Sequence, residues 1–120
     1  MTLIYLASPY THADPAVMQS RFEAACRAAA VLMRAGRAVF SPIAHSVPIA
    51  RHGRLPATDL AFWMAVDRPL LEACDEMVVL RLPGWEQSLG VAEELRMAKA
   101  RGMLVIFMDP DEYVPAGDAS

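Results

Sequence analysis

The chain carries little excess charge of either sign: 11 Lys and Arg stand against 14 Asp and Glu, for a net of −3. A duplex nucleic acid usually needs a basic face, so no nucleic-acid polymer is expected as a partner. No apolar run approaches the roughly 20 residues of a membrane span, and neither a charged stretch nor a signal-like apolar region precedes Leu3. The expectation is a cytoplasmic protein with no membrane partner. Cysteine is scarce as well: Cys26 and Cys74 are the two present. Both lie on apolar sides of expected helices and outside any Cys-x-x-Cys spacing, and read as buried free thiols. His12, His45 and His52 are too loosely spaced for a zinc signature, so no structural metal is expected. Three catalytic signatures are missing: a Walker loop ending Gly-Lys-Ser/Thr, a dinucleotide fingerprint opening the first helix, and a G-x-S-x-G elbow.

What the chain does have is apolar residues, 55% of 120. A chain of that size folds as one compact domain and buries roughly two thirds of its unfolded surface. Leu3-Ile4-Tyr5-Leu6-Ala7, ended by Ser8-Pro9, has the continuous apolar character of a central parallel strand. Asp14-Pro15 is an N-cap followed by proline at the first helical position. Met18, Phe22, Ala25, Cys26, Ala29, Leu32 and Met33 then recur at helical spacing up to Gly36. Arg21, Glu23, Arg27 and Arg34 fall mostly off that stripe, on what reads as a solvated face.

Ala38-Val39-Phe40 is a second strand ending at Ser41-Pro42. Residues 43–58, punctuated by Pro48, Gly53 and Pro56, read as an irregular or briefly helical segment. A loop of that length in a small domain is usually functional, a lid or an oligomer contact. From Asp59 a helical pattern puts Trp63, Asp67, Leu70, Leu71 and Cys74 on one side. Pro69 predicts a kink, or a new helix start with Asp67 as its cap. Asp67 is thus open to two readings, a capping residue or a site acid. Glu76-Met77-Val78-Val79-Leu80 and Met103-Leu104-Val105-Ile106-Phe107 are the third and fourth strands. Strands alternating with helices imply a parallel α/β sheet with helices on both faces.

Between the third and fourth strands, Gly84 to Leu95 joins an apolar strand to a helix through a loop rich in functional groups. Ser88 is an N-cap candidate, and Gly90 just inside the helix lets a ligand approach the free N–H groups of the first turn. At about 100° per residue from Val91, Glu94 lies near −60°, beside the apolar stripe, whereas Glu93 falls on the opposite side. Glu93 has Arg96 at i+3, the spacing of a surface ion pair; Glu94 has no cation at its helical neighbours. Glu94 is therefore either a site carboxylate or an edge residue that reaches solvent. In open α/β sheets the site lies beyond the carboxyl ends of the strands. That rule gathers Ser8, Tyr10 and His12 after the first strand, Ser41 and His45 after the second, and Trp85, Gln87, Ser88 and Glu94 after the third. A carboxylate nucleophile acting at an anomeric carbon, with retention, is a chemistry these parts suit.

Ser88-Leu89-Gly90-Val91-Ala92-Glu93-Glu94-Leu95-Arg96-Met97-Ala98 resembles the glycine-to-glutamate motif of the nucleoside 2-deoxyribosyltransferase superfamily, including its nucleoside 5′-monophosphate N-glycosidase branch. Ile4 to Tyr10, Phe40 to His45 and Asp67 to Asp75 resemble the same superfamily, most closely a small bacterial and phage group of unassigned function. The resemblance spans roughly residues 3–108, and implies a domain over 1–108 with a C-terminal tail over 109–120. It implies a single three-layer flavodoxin-like or Rossmann-like domain with a parallel sheet of four to five strands, assembled as a homodimer or higher homo-oligomer. By position, Glu94 is implied as the nucleophile at C1′ of a nucleotide or nucleoside and Asp67 as an assisting acid. Tyr5, Ser8, Tyr10, His45, Ser88 and Gly90 are implied as substrate-binding residues, with no cofactor. Ser at 88, where deoxyribosyltransferases typically carry Asp, points to a phosphorylated ligand. Arg96 departs from the superfamily, which commonly has Gly there. The implied reaction is cleavage or exchange of an N-glycosidic bond; the alternative is a non-catalytic nucleotide-binding or sensing module on the same fold.

Overall fold

The computed structural model describes residues 2–113. The chain runs β1 (Leu3–Ala7), α1 (Pro15–Arg34), β2 (Ala38–Phe40), α2 (Pro42–Gly53), α3 (Leu60–Glu72), β3 (Glu76–Leu80), α4 (Leu89–Ala100) and β4 (Leu104–Met108), with short 3₁₀ turns at Trp85–Gln87 and Pro110–Tyr113. All pairings are parallel and the strand order is β2-β1-β3-β4. This is the expected three-layer α/β architecture, with four strands among the described residues. Of the expected tail, residues 114–120 lie outside the described residues.

The alternation of side chains along β1 builds two cores. Ile4 and Leu6 meet Ala24, Ala28 and Ala29 of α1 together with Val78 and Leu80 of β3. Tyr5 and Ala7 point the other way, among Leu71 of α3, Val91, Met97 and Ala98 of α4, and Met77 and Val79. β1 and β3 are central and apolar on both faces because each is covered on both. β4 is not: Leu104 is 60% exposed although its strand is as apolar as the others. A strand with one neighbour sits at the edge of the helical layers, which local pattern does not reveal.

Helix starts follow their caps. Asp14 accepts from the Ala16 amide, Asp59 from Phe62 and Ser88 from Val91. Two prolines fall inside helices. The segment expected to be irregular or briefly helical from residue 43 is α2 as far as Gly53, because Ser41 caps Ala44 at 3.1 Å and Pro42 occupies the first helical position. Pro48 forgoes one hydrogen bond inside that helix, while Val47 and Ala50 are buried around it and hold the helix in place. Pro69 does not restart α3, which is continuous from Leu60 to Glu72. It lies in the last turn, where the loss of one bond is tolerated. Asp67 therefore caps nothing.

α1 also corrects its stripe. The buried face consists of Ala24, Ala25, Ala28 and Ala29 with Arg21, whereas Met33 is exposed and Phe22 and Cys26 are half-buried. Small residues bring the helix close to the sheet, and larger ones at the stripe's margin stay outside. Cys74 is buried, and both cysteines are free.

Candidate active site

A cavity of about 330 Å³ opens beyond the carboxyl ends of the strands. Ser8, Tyr10 and Thr11 line it from the loop after β1; Pro42, Ile43, Ser46, Val47 and Ala50 from the start and face of α2; Trp63, Met64 and Asp67 from α3; and Gln87, Ser88, Leu89, Gly90 and Glu94 from the β3–α4 connection and α4. The irregular stretch between α2 and α3 contributes Ala57, Thr58 and Asp59 to the rim. Part of the segment expected to be a lid or an oligomer contact thus borders the cavity, although most of it is helix.

Glu94 is 4% exposed. Its carboxylate Oε2 accepts a 2.5 Å hydrogen bond from the Tyr5 hydroxyl, which joins the central strand to α4 across 89 residues of sequence. Burial pushes the Glu94 carboxyl up to about 8; the charge of Asp67 adds to that rise and the Tyr5 bond opposes it. Tyr5 is itself held well above the ordinary phenol range, by burial first and then by the negative charge of Glu94, so it remains a donor. Tyr5 does not line the cavity; it lies behind Glu94 and leaves the second carboxylate oxygen for a ligand.

Asp67 is equally buried, and burial raises its carboxyl to about 6. Among the described residues, two buried side-chain atoms have no hydrogen-bond partner, Asp67 Oδ1 and Ser8 Oγ, and both residues line the cavity. Buried polar atoms are nearly always satisfied in folded proteins, so an acceptor and a hydroxyl left over in one cavity are the natural partners of a polar ligand. Ser88 accepts from the Val91 amide at 3.2 Å, which leaves its hydroxyl hydrogen free to donate. Gly90 follows in the first turn, where unbonded N–H groups and the helix dipole favour an anion.

Glu93 and Glu94 separate as their periodicity predicts. Both carboxylate oxygens of Glu93 accept from Arg96 on the outer face of α4. Arg96, the departure from the superfamily pattern, is thereby turned away from the cavity. The structure leaves four of the gathered residues outside the cavity lining, and one of them, Ser41, is buried as the cap of α2. His45 is exposed, with its ring 5.3 Å from that of Phe40 and its Nδ1 beside Ser46 Oγ. His12 accepts from the Asp14 amide, and Trp85 packs 5.6 Å from Phe107. Histidine follows β2 in sequence, but α2 starts at once after Ser41 and rotates residue 45 outward.

Sequence reasoning missed Ser46, Thr58 and the part played by Trp63. Ser46 stands one helical turn after Pro42 on the face of α2 that carries Val47 and Ala50, a pattern visible only once α2 is known to be a helix. Trp63 donates its indole N–H to Pro56 O at 2.8 Å and so ties the rim to α3.

Comparison with known proteins gives the fold a relative. No curated protein matches the sequence. The solved structure of a 2-deoxyribosyltransferase from the psychrotolerant bacterium Bacillus psychrosaccharolyticus superposes with a TM-score of 0.61 at 23% identity, covering 91% of this chain and 73% of that one. The likeness is one of fold. A family model described as Domain of unknown function (DUF1937) matches residues 2–110, and the chain belongs to that family.

Proposed function

We propose that the protein cleaves or exchanges the N-glycosidic bond of a nucleotide or nucleoside, with Glu94 as nucleophile. The observation that carries this reading is the Glu94 carboxylate, buried at the cavity, gripped through one oxygen by Tyr5 and accompanied by a second buried acid, Asp67. Buried carboxyls whose proton affinities are pushed upward cluster at functional sites. The likeness to a 2-deoxyribosyltransferase fold supports the choice of nucleoside chemistry over other acid-pair reactions.

In this mechanism the free oxygen of ionised Glu94 attacks C1′ as the bond from C1′ to the base nitrogen breaks. Protonated Asp67 gives its proton to the departing base. Water or a second base then attacks C1′ from the opposite side, the glycosyl ester breaks, and Asp67 recovers a proton from that acceptor, with overall retention. With Asp67 raised to about 6 and Glu94 to about 8, the pair holds about one proton between those values and holds it on Glu94, so attack requires that proton to pass to Asp67 first. Ser8 and Tyr10 are assigned to the sugar and base, and Ser88 with the Gly90 turn to a 5′-phosphate. His45, exposed in the monomer, has no assigned contact.

The protein is further proposed to act as a homodimer or larger assembly. Leu60, Phe62, Val66 and Leu70 leave apolar surface exposed along α3, and Leu60 and Leu89 reach the cavity mouth, where a second copy would narrow it.

The test is incubation with ribo- and deoxyribonucleosides and their 5′-monophosphates, with free base followed by chromatography. Base release that Glu94→Ala reduces by at least 10³-fold is expected, since loss of a nucleophile removes the covalent route. Release that survives Glu94→Ala sinks the mechanism; binding without release in the unaltered protein favours the sensing module instead.

A further inference from the structure

Arg21 is a buried charge that this mechanism leaves unused. It falls among the solvated arginines of α1 by periodicity, yet it is only 9% exposed. Among the described residues no carboxylate forms an ion pair with it. Its guanidinium donates instead to main-chain carbonyls on two loops. Nη1 reaches Thr11 O at 3.0 Å and, at 3.5 Å, Tyr10 O, both after β1. Nη2 reaches Pro83 O at 3.0 Å, after β3.

Those two loops are the banks of the cavity. α1 packs on one face of the sheet and α4 on the other, so the connections leaving neighbouring strands β1 and β3 diverge and a crevice opens between them. Among the described residues no backbone hydrogen bond joins the loops. The chain is also shaped around the guanidinium: Gly84 has φ +86°, and a Cβ there would stand 2.7 Å from Nη2.

We propose that Arg21 is a positioning residue, a clasp that fixes the separation of the two loops by gripping main chain on both sides of the crevice. It does not line the cavity; Tyr10 and Thr11 on one bank, and Gln87 and Ser88 on the other, do. A planar fork with several fixed donors can hold both banks, which the single ammonium of lysine cannot. Glu94 and Tyr5 belong to α4 and β1, outside the clasped loops, so releasing the clasp acts on ligand affinity ahead of the chemical step. That kinetic consequence rests on the nucleotide reading above; the clasp itself does not.

The test compares Arg21→Met, Arg21→Lys and Gly84→Ala, with Arg27→Gln on the exposed side of α1 as control. Hydrogen exchange is followed in peptides covering residues 8–13 and 82–88. Arg21→Met and Gly84→Ala are expected to speed exchange about tenfold in both loops together while β1 and β3 stay protected, with Arg21→Lys intermediate and the control unchanged. Should Arg21→Met not fold, the other two variants carry the same comparison. Base release from each of the four 2′-deoxynucleoside 5′-monophosphates should show KM raised about tenfold with kcat within about twofold. Faster exchange in one loop only, or a uniform rise across the fold, overturns the clasp; an unchanged KM in an active variant with loosened loops overturns its effect on ligand affinity. If the unaltered protein releases no base, the proposed reaction fails, and the exchange measurement still decides the clasp.

Discussion

Glu94 carries a tension between stability and function. Its carboxyl is raised to about 8 in the fold against 4.5 for an ordinary glutamate, with burial the largest cause. Below about pH 4.5 both folded and unfolded chains hold the proton and no stability is lost. As pH rises the unfolded chain ionises first, so the fold weakens progressively until Glu94 itself ionises near 8. Asp67 acts in the same direction up to about 6. Glu94→Gln mimics the protonated acid and keeps an acceptor for Tyr5. It should therefore melt near the unaltered protein at pH 4.5 and at least about 4 °C higher at pH 8, as read by calorimetry across that range. A difference that shrinks with rising pH would contradict the buried-acid account. At this scale the sequence separated Glu93 from Glu94 by angle alone, because both positions are set by one helix. The Tyr5 bond to Glu94 was beyond it, since it depends on where β1 and α4 meet.

At the scale of the element, the first turn of α4 holds a glycine with no structural requirement for one. Gly90 is helical, and a Cβ built on it would meet its nearest neighbours, Leu60 Cδ1 and Ser88 Oγ, at an ordinary 3.9 Å. Alanine is the better helix former, so Gly90→Ala should raise stability by about 0.5 kcal/mol, measured by urea unfolding. The same methyl would stand at the cavity where a ligand approaches the N–H groups, and base release should fall at least about tenfold. A variant that gains stability with activity intact would show that ligand does not approach this turn. Two caps were legible in the sequence: Asp14 and Ser88 each start a helix through a local hydrogen bond. Pro48 and Pro69 both lie inside helices, because proline's local cost can be outweighed by what the rest of the helix buries.

At the scale of the whole molecule, apolar surface remains on α3, where Phe62 and Val66 are each 37% exposed, and beside the cavity, where Leu89 is 74% exposed. A homodimer that uses this surface should dissociate when Phe62→Glu and Val66→Glu place unpaired carboxylates in it, with affinity lowered about a hundredfold or more. Sedimentation velocity over a range of concentrations reads the change. A single monomeric species in the unaltered protein at all concentrations removes this assembly from the proposal.

The sequence by itself determined what depends on near neighbours: the helical and extended periods, most helix starts, the parallel α/β class and the placing of Glu93 and Glu94 on different sides of α4. Each follows from backbone geometry repeated over a few residues. Tertiary structure decided the rest. It joined Tyr5 to Glu94, left Asp67 and Ser8 with unmet hydrogen bonds in one cavity, turned His45 outward, exposed β4 at the sheet edge and buried Arg21 between two loops. Those outcomes depend on which distant surfaces pack together, and packing is set by the sum of burial over the whole chain, which no local spacing encodes.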